Sequence, residues 1–545
     1  METIFPAHQR FSNSCNIAHK AVGQLFTEKL QQNPDKTFLI CPGKYEEIFS
    51  YKTFNSHYLG AARYLIHLGL KKGDRFNLIF SNSSEFLLFY FAGLVLGVTV
   101  VPINPDLSSD EMRYIVDDCK SKAIIYDQAL SAKIDNIFVG GSNLVVLKAI
   151  DSIHDCTYRQ TENISSDLSL PEIGLSDEAV IIYTSGTTGN PKGVVLSNLN
   201  LLADAKAIAE WFQFSTETRA LCILPLFHNN GQITTLLAPL YAGGSTVIVK
   251  GKASLLSFWT LVDHYSATFT SVMASILSIL LSLSIERKDK TLIAILCGGQ
   301  VLSKSVQEMF EDRFDVPIFE GYGLTETTSF SCINDFPKQN RVSGSIGKAL
   351  PVNEMAIFDD EDNELGPNIE GQICIRGLNV ACEYLGLSER NVKSFANGWF
   401  HSGDYGLKDN EGYFYFRGRK DFLIIKGGEN IYPAELENVL YKHLAVAECA
   451  VIGVPDKLLG EEICAFVKLR ENMTASVTEL KNFCRGKIAG YKQAKIIIII
   501  NELGDMNEIP KGPTKKILYR VLKSYYLENM DKLTQKSKTL HRKDE

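Results

Sequence analysis

Apolar runs of strand length alternate with helical patterns along the first four hundred or so residues. Phe76 to Phe80, Ala123 to Tyr126, Leu144 to Leu147, Ala179 to Thr184, Ala220 to Leu224, Ser245 to Val249 and Leu292 to Cys297 predict strands. Ser84 to Leu96 and Asn198 to Glu210 predict helices between them. This alternation predicts an α/β fold with largely parallel sheets, since parallel strands need crossover connections. From about Val342 the texture becomes short strands and glycine-rich turns, through Ile373 to Arg376 and Tyr413 to Phe416. After Asp421 helix and strand patterns return, through Ala434 to Leu440, Cys449 to Gly453, Ala465 to Leu469 and Val477 to Arg485. Five consecutive isoleucines, Ile496 to Ile500, predict a buried strand because they are β-branched and bounded by Lys495 and Asn501. Ser266 to Ile285 is uncharged over twenty residues, long enough to span a bilayer. Eight of the twenty are Ser or Thr, so a buried helix is the better expectation. The last fifteen residues, 531–545, are polar without a hydrophobic face and predict a disordered tail.

Composition narrows the class. A chain of 545 residues is long enough for several folding units, and 45% hydrophobic with 22% charged residues is ordinary for a folded protein. The net charge of −7 argues against nucleic acid as a partner. Twelve cysteines run from Cys15 to Cys484 with no CxxC pair, which reads as free thiols in a reducing compartment rather than a zinc site. The N-terminus lacks the basic-then-apolar pattern of a signal peptide, so a cytoplasmic location without a membrane span is expected.

The strongest candidate chemistry lies in YTSGTTGNPKGV, Tyr183 to Val194. An apolar strand runs there into a loop with three glycines, four Ser/Thr hydroxyls and Lys192. Glycines let backbone N–H groups turn inward, the hydroxyls add donors and the lysine adds charge, which together suit a polyphosphate. The segment is not a Walker A loop, because Gly193 follows Lys192. Further motifs follow in order: PLFHNNGQ (Pro225 to Gln232), GYGLTETT (Gly321 to Thr328), WFHSGDYG (Trp399 to Gly406), GRKDFLIIKGGENIYPAELE (Gly418 to Glu437) and IPKGPTKKIL (Ile509 to Leu518). This ordered set strongly resembles the adenylate-forming (AMP-binding) enzymes, and within them the acyl-CoA synthetases, over roughly Thr27 to Leu522.

The resemblance implies a large N-terminal adenylation body, residues 1–420, of stacked mixed and parallel sheets with helices plus a distorted β-barrel subdomain. It implies a small mobile α+β lid, residues 421–530, turning about Asp421. It implies ATP, Mg²⁺ and CoA. Thr184 and Glu326 would hold the metal, and Ser185, Gly186, Thr187, Thr188, Gly189 and Lys192 would cradle the phosphates. Thr325 would touch the α-phosphate, while Tyr322, next to Gly323, would stack on adenine against Gly298 and Gly299. Asp404 would accept the ribose hydroxyls, with Arg419 as a second grip. Lys516 would bridge carboxylate and α-phosphate, beside Lys515 where the family pattern usually has glycine. Phe227 and His228 would stand at the entrance, and the loop Lys426, Gly427, Gly428 to Asn430 would face a pantetheine arm. Asn229, Asn230, Gln300, Gly321 and Ser329 are the expected acyl-pocket lining. The partners implied are a small carboxylic acid and either CoA or the phosphopantetheine of a separate carrier protein; neither the acid nor the oligomeric state follows from the sequence.

Overall fold

A computed structural model describes residues 16–43, 45–138, 146–150, 169–184, 191–250, 255–288, 290–512 and 517–530. The chain divides into two compact units. The first takes Met1–Leu302, Val306–Met355 and Cys374–His401; the second takes Ser303–Ser305, Ala356–Ile373 and Ser402–Glu545.

Two large sheets build the first unit. Among the described residues one has nine strands, in the order Lys348–Ala349, Cys332–Ile333, Ile318–Tyr322, Ala294–Cys297, Phe269–Val272, Arg219–Cys222, Ser245–Ile248, Thr37–Cys41 and Glu47–Ser50. Its six inner strands pair in parallel and its outer ones antiparallel. The other has seven, in the order Glu383–Tyr384, Lys192–Ser197, Glu178–Thr184, Thr99–Pro102, Arg75–Ile79, Ala123–Asp127 and Val146–Ile150. The run from Glu178–Thr184 to Val146–Ile150 is parallel, as the alternating pattern predicts. Parallel strands buried on both faces read as continuous apolar runs, which explains why these were legible.

Local signals set the helices. Ser84–Leu96 is apolar all round and buried along nearly its whole length. It begins where Ser83 accepts a hydrogen bond from the Phe86 N–H and stops at Gly97, whose φ of 63° a side chain would resist. Asn198–Trp211 begins with a capping box between Ser197 and Asn200. Ser266 to Ile285, expected as one buried helix, is instead the strand Phe269–Val272 followed by the helix Ala274–Ser282. Met273 is extended between them, at φ −92° and ψ 155°. The β-branched Thr268, Thr270 and Val272 favour a strand, and composition alone does not mark where the period changes. Among the described residues no helix is long and apolar enough to cross a membrane. The ten described cysteines are free, and most are buried.

In the second unit the central strand Gly460–Leu469 pairs antiparallel with Val446–Asp456 and parallel with Ile496–Ile499. The isoleucine run thus forms the strand expected of it, with Ile500 opening a 3₁₀ turn. Ile424–Lys426 joins the edge and folds back on Glu429–Ile431. The short-strand region forms a four-stranded sheet in the order Asn353–Phe358, Gly371–Gly377, Phe400–Lys408 and Phe414–Arg419. The expected tail, residues 531–545, lies outside the described residues.

Candidate active site

The phosphate-loop sequence sits on a hairpin. Glu178–Thr184 and Lys192–Ser197 pair antiparallel, with Thr184 directly opposite Lys192. Thr184 and Lys192 therefore stand together at the loop's base; Ser185, Gly186, Thr187, Thr188 and Gly189 lie outside the described residues. Lys192 is buried, and its ammonium lies 5.6 Å from the centre of the Tyr384 ring. That is cation–π range.

Tyr384 carries the second connection. Its hydroxyl donates to Glu326 Oε1 at 2.8 Å. Burial and the Glu326 carboxylate push the phenol well above its ordinary range, so it keeps the proton it donates. One aromatic side chain thus joins the expected phosphate lysine to the expected metal carboxylate. The strand Glu383–Tyr384 is placed by pairing with Lys192–Ser197, Tyr384 opposite Val194.

A neighbouring crevice forms where adjacent parallel strands end. Cys297 pairs with Glu320, so Gly298 and Gly299 follow one strand beside Gly321, Tyr322 and Gly323 on the next. Ligands of open α/β sheets collect at such carboxyl ends. Tyr322 is buried. Gly323 tolerates no side chain: a Cβ would lie 1.8 Å from the Ser329 carbonyl oxygen. Phe330 packs on the adjacent pair, at 2.5 Å from a Cβ placed on Gly298 and 2.7 Å from one on Gly321. These glycines leave room for the Phe330 ring against both strands.

Thr325 and Glu326 open a 3₁₀ turn whose continuation is held from several sides. Thr328 sits at φ 65° and ψ −64°, unusual for a β-branched residue. Its hydroxyl donates to the Asn379 carbonyl at 2.7 Å, and Asn229 Nδ2 donates to the Thr328 carbonyl. Asn379 Nδ2 reaches the Phe330 carbonyl at 3.0 Å and Asp204 Oδ1 at 3.3 Å. Asp204 Oδ2 accepts from the Phe330 N–H at 3.2 Å. Asp204 is wholly buried, and desolvation pushes its carboxyl well above the usual range. The Ala381 N–H completes the clasp by donating to the Glu326 carbonyl at 2.8 Å. Strain of this kind persists only where its surroundings over-determine it. Tyr384, Asn379 and Asp204 are the supports that sequence reasoning missed.

Of the entrance and pocket residues, Phe227 and His228 pack edge to face with ring centres 4.7 Å apart. Asn229 is buried, Gln300 Oε1 accepts from the Ser275 N–H at 3.3 Å, and Ser329 Oγ lies 3.2 Å from Thr234 Oγ1. Asn230 belongs to the short helix Asn229–Gln232, for which His228 is the N-cap residue.

The second unit carries the remaining candidates. Asp404 and Arg419 are directly paired on antiparallel strands, and Arg419 Nε donates to Asp404 Oδ1 at 2.8 Å. The Asp404 side chain is 5% exposed and that of Arg419 39%, so a more exposed arginine holds a buried acid. Asp421 lies in the exposed 3₁₀ turn Lys420–Phe422. Gly427 and Gly428, at φ 60° and 89°, form the two-residue turn between Lys426 and Glu429. The Lys426 ammonium is held at 2.5 Å by the buried Glu462. Lys515 and Lys516 lie outside the described residues, while Lys511 and Ile517 on either side form an antiparallel bridge.

Close to that bridge, Tyr519 donates to buried Glu437, 3.0 Å from Oε1 and 3.2 Å from Oε2, and packs at a tilt against Phe422 with ring centres 4.7 Å apart. The Val451 N–H also donates to Glu437, at 2.8 Å. Burial raises the Glu437 carboxyl from its ordinary 4.5 to about 7. The folded chain therefore binds this proton more tightly than the unfolded chain. The resulting stability is complete below pH 4.5 and is lost as pH rises through about 7, a contribution on the order of 3 kcal/mol. Glu437→Gln keeps the shape and cannot titrate, so denaturant midpoints at pH 5 and pH 8 differ less in the variant than in the parent.

Among the described residues no cluster of three or more His, Cys, Asp or Glu could hold a metal by itself. The hydroxyl of Thr184 and the carboxylate of Glu326 are hard oxygen donors of the kind that binds Mg²⁺ together with substrate phosphates.

Known proteins resemble this chain along most of its length. The AMP-binding enzyme family matches residues 26–385, and the AMP-binding enzyme C-terminal domain matches residues 435–508. The chain is 32% identical over 487 residues to an oxalate–CoA ligase of Arabidopsis thaliana, covering 86% of this chain and 91% of that one. It is 30% identical over 508 residues to a crotonobetaine/carnitine–CoA ligase of Salmonella paratyphi B, covering 90% and 96%. The o-succinylbenzoate CoA synthetase of Bacillus subtilis, solved with its acyl-adenylate intermediate, superposes with a TM-score of 0.80 at 28% identity, covering 92% of this chain and 97% of that one. The chain belongs to the family of AMP-binding enzymes, and it is an AMP-forming acid–thiol ligase.

Proposed function

We propose that this enzyme joins a carboxylic acid to CoA in two half-reactions. In the first, a carboxylate oxygen attacks the α-phosphorus of ATP and the bond to the β-phosphate breaks, giving acyl-AMP and pyrophosphate. In the second, the CoA thiol loses its proton and attacks the acyl carbonyl, and AMP leaves. The observation that carries this reading is the meeting of Lys192 and Glu326 on Tyr384 at the base of the Thr184–Lys192 hairpin. Two anions must approach each other in the first step, so fixed positive charge aimed at the phosphates supplies most of what the protein can offer.

Each group has a role within that scheme. Lys192 and the glycine-rich loop bind the β- and γ-phosphates, and Thr325 the α-phosphate. Tyr322 stacks on adenine, with Gly298 and Gly299 on its other face. Asp404, oriented by Arg419, accepts the ribose hydroxyls. Thr184 and Glu326 would hold Mg²⁺, which when bound neutralises phosphate charge. Lys516 bridges the acid and the α-phosphate in the first step. The tight turn at Gly427 and Gly428 lets backbone approach a pantetheine arm in the second. The lid formed by residues 421–530 turns at Asp421 between the two steps.

CoA is the preferred acceptor because the relatives quoted above act on CoA by name. The phosphopantetheine of a separate carrier protein presents the same thiol. Acyl transfer is measured with CoA and with a phosphopantetheinylated carrier protein side by side. Thioester on CoA is the expected product; efficient carrier loading with no turnover on CoA would replace this acceptor by the carrier.

A further inference from the structure

Tyr384 touches a third charged group. The Arg390 guanidinium lies over the same ring as Lys192, with its central carbon also 5.6 Å from the ring centre. Arg390 belongs to the helix Ser388–Ser394, and the residue after it locks that helix to Tyr384. Asn391 Oδ1 accepts from the Tyr384 N–H at 2.8 Å, while Asn391 Nδ2 donates to the Tyr384 carbonyl at 2.9 Å. The origin of the arginine is therefore fixed relative to the phenol that holds Glu326.

One buried donor at this point has no acceptor. Two cations and one carboxylate, Lys192, Arg390 and Glu326, gather on one buried ring. The Arg390 side chain hydrogen-bonds the Tyr384 hydroxyl, but its Nε–H is buried with no acceptor among the described residues. A buried charged donor is costly unless something pairs with it. A planar guanidinium beside a phosphate-binding lysine matches phosphoryl oxygens in charge and geometry.

We propose that Arg390 is a polyphosphate-binding residue that grips the β- and γ-phosphoryl oxygens of ATP, and pyrophosphate as it leaves. This rests on the nucleotide reading of Lys192 and Glu326. The role belongs to the first half-reaction alone, because acyl-AMP and AMP carry neither phosphate. Binding needs the charge at the phosphates, whereas bracing needs the packed stem and a donor to the Tyr384 hydroxyl.

The test measures equilibrium binding of Mg–ATP, pyrophosphate and AMP to the full chain and to Arg390→Ala, Arg390→Met and Arg390→Lys. Loss of one charge-assisted contact weakens Mg–ATP and pyrophosphate about tenfold in the alanine and methionine variants. Lysine recovers most of that loss, and AMP binds all four proteins alike within about twofold. The assignment is overturned if Arg390→Met binds Mg–ATP as the parent does, or if AMP weakens in step with ATP. A parent chain that binds no ATP would remove the nucleotide reading itself, and this assignment with it.

Discussion

Replacing Lys516 with alanine is expected to cut ATP–pyrophosphate exchange by about two to three orders of magnitude, while ATP still binds and the chain stays folded. The size follows from the task. A carboxylate approaching a phosphate is repelled until a cation sits between them, and removing a preorganised charge at that point raises the barrier without touching the ground-state grip. Lys192 and Glu326 are tied to Tyr384, so the phosphate grip is independent of Lys516. Lys511 and Ile517 still bridge beside the altered position, and Tyr519 keeps its bonds to Glu437. Exchange within about threefold of the parent would remove Lys516 from the assigned role.

Asp421→Pro is expected to spare acyl-AMP formation and to slow thioester formation at least about tenfold. Asp421 sits in an exposed turn, and proline fixes φ near −65°. A residue that must change its backbone angle between two steps is then arrested, while side chains elsewhere are untouched. The neighbouring Phe422 packs at a tilt against Tyr519, so turning at this joint would carry both rings together. The two half-reactions are followed separately, as pyrophosphate released in one turnover and as thioester made from supplied acyl-AMP. Equal loss in both, with unchanged melting, would mean that the turn is structural rather than a hinge.

Much of this was legible in the residues. The apolar runs ending at Thr184 and Cys297 named their strands because a parallel strand buried on both faces has no polar alternation to hide it. The base of the expected phosphate loop was legible because an apolar strand runs there into a glycine- and hydroxyl-rich segment, and Thr184 stands opposite Lys192. The supports beneath the site were not. Asp204 stands in a helix where an isolated acid reads as a solvated position, yet it is wholly buried and meets Phe330 and Asn379. Tyr384 lies far along the chain from both Glu326 and Lys192, and only the pairing of Glu383–Tyr384 with Lys192–Ser197 brings them together. The strand-then-helix of Ser266 to Ile285 escaped because an uncharged Ser/Thr-rich stretch carries no marker at Met273, where the backbone changes. Arg419, expected as a second grip near the ribose, donates to Asp404, a contact that sequence spacing does not reveal.

The claim that this enzyme makes an acyl-adenylate is tested most directly by ATP–pyrophosphate exchange across a panel of short, medium-chain, long-chain, dicarboxylic and aromatic acids. Exchange that requires one of these acids, and that disappears in Lys516→Ala, is the expected result. A chain that binds Mg–ATP yet shows no acid-dependent exchange with any class would contradict it.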